Sequence, residues 1–386
     1  MFSKPSIHLS THIKSIKNLF LFGYSDLQKP PSSNIPGLDV MRSLAILLVV
    51  SGHYFGEYSS KVKLNTDFST FPLFVYAWTG VDLFFVLSGF LIGKQLWKEL
   101  RDEGTINIPR FLIRRGLRIW PYYYAFVIFT IFTSTTPLKS FIPDVLFFSN
   151  YVHNHIAGGW SLSTEEQFYI LMPVLLLIGT KFIPIRYGYL IPIAFFIILP
   201  IGRYFIFTSH SGIITDELRI NLTYSYFHTH SDGLVAGLLI AWVNVVKRNL
   251  LNKIPFKKNI ILPCALIILG IVLRKVNNFI FAFTSLGLIF GGIAIFMLRD
   301  NSKLSIIFRW HGFYLLSRLS YGMYLNHFPV LWWGLPIFLT IPFVHSSIVF
   351  FVGYILIFIL SAAISSVSFL TIESPFLYLR KCLFSK

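Results

Sequence analysis

Charge is what this sequence has least of. Asp, Glu, Lys and Arg together make 13% of its 386 residues, about half the share of an ordinary soluble domain. With 55% hydrophobic residues and a mean hydropathy of +0.67, a cytosolic globular enzyme is excluded and a polytopic membrane protein is expected. Cysteine is nearly absent as well. Cys264 and Cys382 are the only two, without a pairing pattern or metal-ligand spacing, so a disulfide framework and a structural zinc site are not expected. Residues 1–35 lack the continuous apolar run of a signal peptide and any small-residue cleavage site before Pro30-Pro31, so they are expected to stay in place. Period-two alternation is missing too, which excludes an outer-membrane barrel built from alternating strands of about ten residues. Nor is there an internal repeat of the kind that marks many transporters.

What the sequence does have is ten apolar runs. They read as transmembrane helices at about 38–57, 71–94, 117–136, 161–180, 187–208, 222–246, 259–274, 279–298, 314–339 and 344–371, each bounded by charge, Pro or Gly. The expected fold is all-α, a polytopic bundle of about ten transmembrane helices with both termini cytoplasmic. Residues 1–35 form an N-terminal segment in which Leu9, Ile13, Ile16 and Phe20 share a helical face, the pattern of a helix lying on the membrane surface; a basic tail is the alternative. Residues 36–374 form the transmembrane domain and 375–386 a cytoplasmic tail.

The formal net charge of +17, from 33 basic and 16 acidic residues, has two readings with the same total. A basic patch for nucleic acid clusters on one face, whereas a membrane protein concentrates Lys and Arg in its inside loops. With the N-terminus inside, 24 of the 33 basic residues fall in inside segments, including seven from Lys94 to Arg118 and five from Lys247 to Lys258. Six fall outside: Lys61, Lys63, Lys139, Arg219, Arg274 and Lys275. The excess therefore orients a bundle in the bilayer, and no nucleic-acid partner is expected.

Three basic residues remain, Arg42, Arg203 and Arg318, all within spans. Asp39, Asp82, Glu165, Glu166, Asp232 and Glu373, with His53, His228, His230 and His327, join them. A charge at bilayer depth costs roughly 2.5–3.5 kcal/mol on insertion scales, so this many predicts a polar cavity. Arg42 and His53, eleven positions apart, return to within about 20° of the same helical face with a rise of roughly 16 Å, so both look into that cavity at different depths. A structural hydrogen-bond anchor is the alternative for such a pair. Arg114, Arg115 and Arg118 fall at the inner mouth, where they anchor a helix or meet the phosphates of a nucleotide cofactor. Ser88-Gly89 permits close helix approach. Ser163 and Glu166 fit a capping box, leaving Glu165 on the His53 side of the membrane as a carboxylate able to orient an imidazole. Pro329 is expected to open the helix just after His327. A metal at His228, His230 and Asp232 is discounted because an H-x-H step on one helix splays the rings by about 200°, and the outside pair His153 and His155 is discounted likewise.

These residues resemble the integral-membrane acyltransferase-3 family, bacterial O-acyltransferases of cell-surface glycans. The resemblance covers roughly residues 36–376 and rests on motifs in order: Arg42 with His53, Phe84 to Gly89, Arg114 to Tyr123, Trp160 to Tyr169, Ser320 to His327, and Glu373 to Pro375. It implies a bacterial inner-membrane enzyme that moves an acyl group, usually acetyl, from cytoplasmic acetyl-CoA to a hydroxyl of a surface or lipid-linked glycan such as O-antigen, lipopolysaccharide or exopolysaccharide, with no metal. His53, Glu165 and Arg42 are the expected catalytic set, with His53 as general base or as the site of a covalent acyl group. Arg114, Arg115, Arg118 and Ser88 are expected at the donor, and Asp82, Trp160, Glu166, Tyr169, Arg318, Tyr324, His327 and Glu373 elsewhere in the cavity. Many relatives carry a C-terminal extracytoplasmic SGNH-type domain. The run of only about a dozen residues past the tenth span is expected to mark a member without it, with any second step left to a separate extracytoplasmic partner. A multi-helix transporter or channel is the alternative from another class. A membrane glycosyltransferase is a third, although the first outside segment offers only Glu57 and Asp67 as acids.

Overall fold

The computed structural model describes residues 21–31, 34–63, 68, 70–152, 155–209, 222–247, 260–298, 306–340 and 342–384. Among them the chain is helical and forms no strand. The principal helices are α1 (Pro36–Lys61), α2 (Gly80–Glu103), α3 (Ile108–Thr133), α4 (Gly159–Phe182), α5 (Leu190–Ser209), α6 (Asp232–Val246), α7 (Ile261–Val276), α8 (Ala282–Met297), α9 (His311–Leu339), α10 (Ser347–Ser368) and α11 (Ser374–Phe384). A helical segment at 21–28 precedes them. The expected surface helix around Leu9 to Phe20, His153 and many of the loop cations lie outside the described residues.

Each expected span overlaps one of helices α1 to α10, with α2 running past its expected end at 94 to Glu103 and α3 starting at Ile108, before its expected start at 117. Five stretches are long and apolar enough to cross a bilayer: Pro36–Lys61, Ala77–Glu103, Gly159–Phe182, Ile185–Ser209 and Ser347–Phe384. Helices α6 and α8 are apolar but shorter, and α3 is diluted by Arg110, Arg114, Arg115 and Arg118 in its first half. The chain is a multi-pass membrane protein.

Local signals set the boundaries. Pro36 opens α1, and the Asn107 side chain caps α3 by accepting the Arg110 N–H at 3.0 Å. Gly104, at φ +70°, closes α2. Helix α4 starts at Gly159, so Ser163 and Glu166 lie inside it and the expected capping box does not form. Ser163 instead meets Ser149 at 2.9 Å, and Trp120 Nε1–H donates to Glu166 at 3.1 Å. Helix α6 starts at Asp232, later than the expected 222, because residues 224–231 turn to bring Thr229 and His230 against neighbouring helices. Helix α9 continues through Pro329 and Pro336 without the expected opening, and the tail expected at 375–386 is helical as α11.

Pairwise contacts fix the direction of the helices. Arg42 reaches Ser317 and His53 reaches His327, so α1 and α9 run parallel. Trp97 donates to the Leu238 carbonyl and Arg101 to that of Val245, so α2 and α6 are also parallel. Tyr54 and Tyr58 donate to the carbonyls of Phe350 and Val344, so α10 runs against α1. The α2–α6 contact is the most extensive in the fold. Glycine makes it possible, because a side chain on Gly89 would overlap the Leu234 carbonyl and one on Gly237 would overlap that of Val86.

Candidate active site

One polar cavity of about 970 Å³, counting its open mouth, lies among α1, α2, α3, α4, α9 and the α10–α11 junction. Arg42, Arg115, Arg118 and Arg318 face it, against two carboxylates, Glu165 and Glu373. Helix α1 brings in Arg42, whose Nη1 lies 3.4 Å from Ser317 Oγ. Helix α3 presents Arg115 and Arg118 from adjacent turns, with the Arg115 guanidinium 5.6 Å from the centre of the Tyr169 ring. Arg118 has no hydrogen-bond or ion-pair partner among the described residues. Helix α9 carries Arg318, which pairs with Asp26 of the 21–28 segment and lies 5.3 Å from the centre of the Phe369 ring.

Glu165 accepts hydrogen bonds from Ser88 at 2.9 Å and Tyr169 at 2.5 Å. The expected contact between Glu165 and His53 does not form. The local reason is helical spacing: Tyr169 sits one turn after Glu165 on α4 and, with Ser88 of α2, holds the carboxylate in the cavity away from His53. His53 pairs instead with His327, Nδ1 to Nε2 at 3.0 Å. Neither histidine lines the cavity, but Tyr324, one turn before His327, does, and its ring centre is 6.0 Å from that of His327. The histidine pair therefore stands behind the Tyr324 wall. Tyr324 is anchored by its hydroxyl, 2.5 Å from Ser161 and 3.0 Å from the Gly158 carbonyl.

Between α10 and α11 the backbone winds as a π-helix over Phe369–Glu373, a turn frequent at functional sites. It delivers Phe369 and Glu373 to the cavity, and Glu373 Oε1 is buried without a hydrogen-bond partner among the described residues. Arg114 faces a second pocket at the mouth, of about 810 Å³ with its opening, together with Asp26, Arg318, Arg380 and Lys381. Arg318 and Leu377 line both spaces, so the two adjoin.

The structure thus gathers Arg42, Ser88, Arg115, Arg118, Glu165, Tyr169, Arg318, Tyr324 and Glu373 around one space. It places Asp82, Trp160 and Glu166 outside the lining. His230 bonds to Asp82 at 3.0 Å and stacks on Trp160, with ring centres 5.3 Å apart. Ser161, Ser317, Ser320 and Asp26 escaped the sequence reading. Ser161 and Ser320 stand in motifs that carried the resemblance, whereas nothing in the sequence marks Asp26. In the loop before α4, the His155 N–H donates to Asp144 at 3.1 Å; burial pushes this carboxyl above the usual carboxylate range. Among the described residues no group of His, Cys, Asp and Glu could hold a metal.

The family model of the Acyl_transf_3 acyltransferase domain matches residues 35–367. The chain belongs to the acyltransferase-3 family. It therefore carries an acyltransferase domain, which counts against the transporter, channel and glycosyltransferase alternatives. A Staphylococcus aureus (strain COL) protein provisionally named an O-acetyltransferase is 27% identical over 89% of this chain and 57% of its own length. The peptidoglycan O-acetyltransferase OatA of Listeria monocytogenes serovar 1/2a is 26% identical over 78% of this chain and 50% of its own. A Bacillus subtilis (strain 168) relative, YrhL, provisionally named a peptidoglycan O-acetyltransferase, is 25% identical over 78% of this chain and 49% of its own. The chain thus spans about half the length of the curated relatives it matches. No solved structure gives a significant match.

Proposed function

We propose that this acyltransferase moves an acetyl group from acetyl-CoA, entering from the cytoplasm, to a hydroxyl of a surface or lipid-linked glycan on the outer side of a bacterial plasma membrane. The observation that carries the reading is the imbalance of the cavity, where Arg42, Arg115 and Arg118 face two carboxylates while the fourth guanidinium, Arg318, is paired with Asp26. Uncompensated cations are costly at bilayer depth, so a polyanionic ligand is the natural complement. Arg114, with Arg380 and Lys381 at the mouth, and Arg115 and Arg118 deeper, are suited to the phosphates of CoA. Arg42 is then placed to steady the thioester carbonyl as charge develops on its oxygen.

In this reading His53 is the general base. The acceptor oxygen attacks the thioester carbonyl carbon while its proton passes to His53; the adduct then expels the CoA sulfur, which takes that proton back. In the covalent variant the His53 nitrogen attacks first and expels the CoA thiolate; the acceptor hydroxyl then displaces the imidazole from the acyl group, its proton ending on the thiolate. Glu165 shapes the charge of the cavity, held between Ser88 and Tyr169 and facing Arg115 and Arg42.

The proposed topology has ten spans with both ends cytoplasmic. It is supported by the parallel pairs α1/α9 and α2/α6 and the antiparallel pair α1/α10, since spans of like parity must run the same way. The test of the reading is release of free CoA thiol from acetyl-CoA by the purified protein, dependent on a glycan acceptor. Wild-type protein is expected to release thiol in proportion to acetylated product. Binding of acetyl-CoA with no acceptor-dependent thiol would contradict the proposal. Comparing surface glycans of wild-type and deletion strains by mass spectrometry then identifies the acceptor by the loss of one acetyl mass.

A further inference from the structure

We propose that His327 is a positioning residue that fixes which nitrogen of His53 carries the proton. The inference rests on the reading of His53 as general base and goes beyond it, because it selects the nitrogen that acts.

Hydrogen-bond polarity runs along a chain of three groups. His327 Nδ1 lies 3.0 Å from the Met323 carbonyl oxygen. A carbonyl oxygen only accepts, so Nδ1 carries the hydrogen. In a neutral imidazole the other nitrogen then holds a lone pair, and His327 Nε2 must accept at its own contact. That contact, at 3.0 Å, is His53 Nδ1, which therefore carries a hydrogen and donates it. His53 Nε2 is left as the lone-pair nitrogen, ready to take the acceptor's proton or to attack the thioester.

The opposite polarity requires a doubly protonated His327. That side chain is 1% exposed and has no carboxylate among its hydrogen-bond partners, so the cation would stand buried and unpaired, at a prohibitive cost. The usual partner that sets a base histidine's tautomer is a carboxylate on Nδ1. Here a neutral imidazole does that work, and Glu165, the carboxylate nearest to the role in the sequence, is held by other groups. Packing supports the arrangement: the rings of His53, His327 and Phe328 form a triangle, with centroids 5.0, 4.4 and 4.2 Å apart.

The test compares His327→Gln with His327→Leu, using acetyl-CoA and a glycan acceptor with wild-type and His53→Ala protein alongside. The Gln amide oxygen can still accept from His53 Nδ1, whereas Leu cannot. His327→Leu is expected to lower kcat about 100-fold, on the scale of losing general-base catalysis, with KM for acetyl-CoA within about twofold. His327→Gln is expected to recover at least a tenth of wild-type kcat. Equal impairment of both variants, or no impairment of either, overturns the proposal, as does a loss confined to KM. Full activity of His53→Ala would instead remove the reading on which the inference rests, so the two failures are distinct. A measurement on unaltered protein covers the case in which a variant does not fold. Nitrogen-15 NMR of histidine-labelled wild type in nanodiscs is expected to show His53 protonated on Nδ1, and a His53 signal protonated on Nε2 alone would overturn the proposal.

Discussion

Arg115 and Arg118 are the residues on which the donor reading turns, since both face the cavity and Arg118 has no hydrogen-bond or ion-pair partner among the described residues. A hydrogen bond to a charged group is worth about 1.5–3 kcal/mol, equivalent to roughly 10- to 150-fold in affinity. Arg118→Ala is therefore expected to raise KM for acetyl-CoA at least tenfold in steady-state assays of the purified enzyme, and an unchanged KM would remove Arg118 from the donor site. Arg203 serves a different purpose. It is fully buried, its Nη1 and Nη2 meet the two Asp232 oxygens at 2.8 and 3.0 Å, and further bonds run to Thr284 and the carbonyls of Thr229 and Ile280. Removing one partner of such a pair leaves a buried charge alone and costs about 3–5 kcal/mol. Asp232→Ala is expected to lower the melting temperature in detergent sharply, and an apolar replacement of both residues to lower it less. The sequence flagged these ionisable groups because they stand in apolar runs, but it could not sort donor-facing from structural ones. Arg42, Arg203 and Arg318 look alike along the chain and separate only when the fold supplies Ser317, Asp232 and Asp26 as partners.

At the scale of elements, the apolar runs made nearly all of the helices legible, because bilayer thickness and backbone hydrogen bonding leave helices as the only long element here. Their ends were less legible. Helix α6 begins later than its apolar run because His230 and Thr229 are bound by tertiary partners, and α4 begins earlier than its capping motif because Gly158, at φ +74°, supplies the turn. The pairing of helices was least legible. Sequence placed Glu165 and His53 on the same side of the membrane, yet their rotation about α4 and α1 sends them to different neighbours. Close packing of α2 on α6 carries its own prediction. Gly89→Val or Gly237→Val introduces methyl groups where backbone already stands, and folded protein recovered by size-exclusion chromatography is expected to fall severely. Recovery equal to wild type would mean that these helices are not held at the observed distance.

For the whole molecule, orientation follows from the distribution of Lys and Arg and is checked by the two cysteines. Cys264 in α7 and Cys382 in α11 are both free and exposed. With Cys264→Ser as background, Cys382 is expected to react with a membrane-impermeant maleimide only after cells are permeabilised, and labelling of intact cells would reverse the proposed orientation. That orientation puts the cationic mouth at the cytoplasmic side and His53 in the outer half of the bundle, the polarity a transfer across the membrane requires. The central claim is that an acetyl group passes from CoA in the cavity to a glycan hydroxyl whose proton is taken by His53, behind the Tyr324 wall. The most direct test is single-turnover transfer from radiolabelled acetyl-CoA to glycan acceptor by protein in nanodiscs, wild type beside His53→Ala. The account predicts labelled glycan and free thiol in equal amounts with wild type and a loss of at least about 100-fold with His53→Ala; transfer by His53→Ala at the wild-type rate would contradict it.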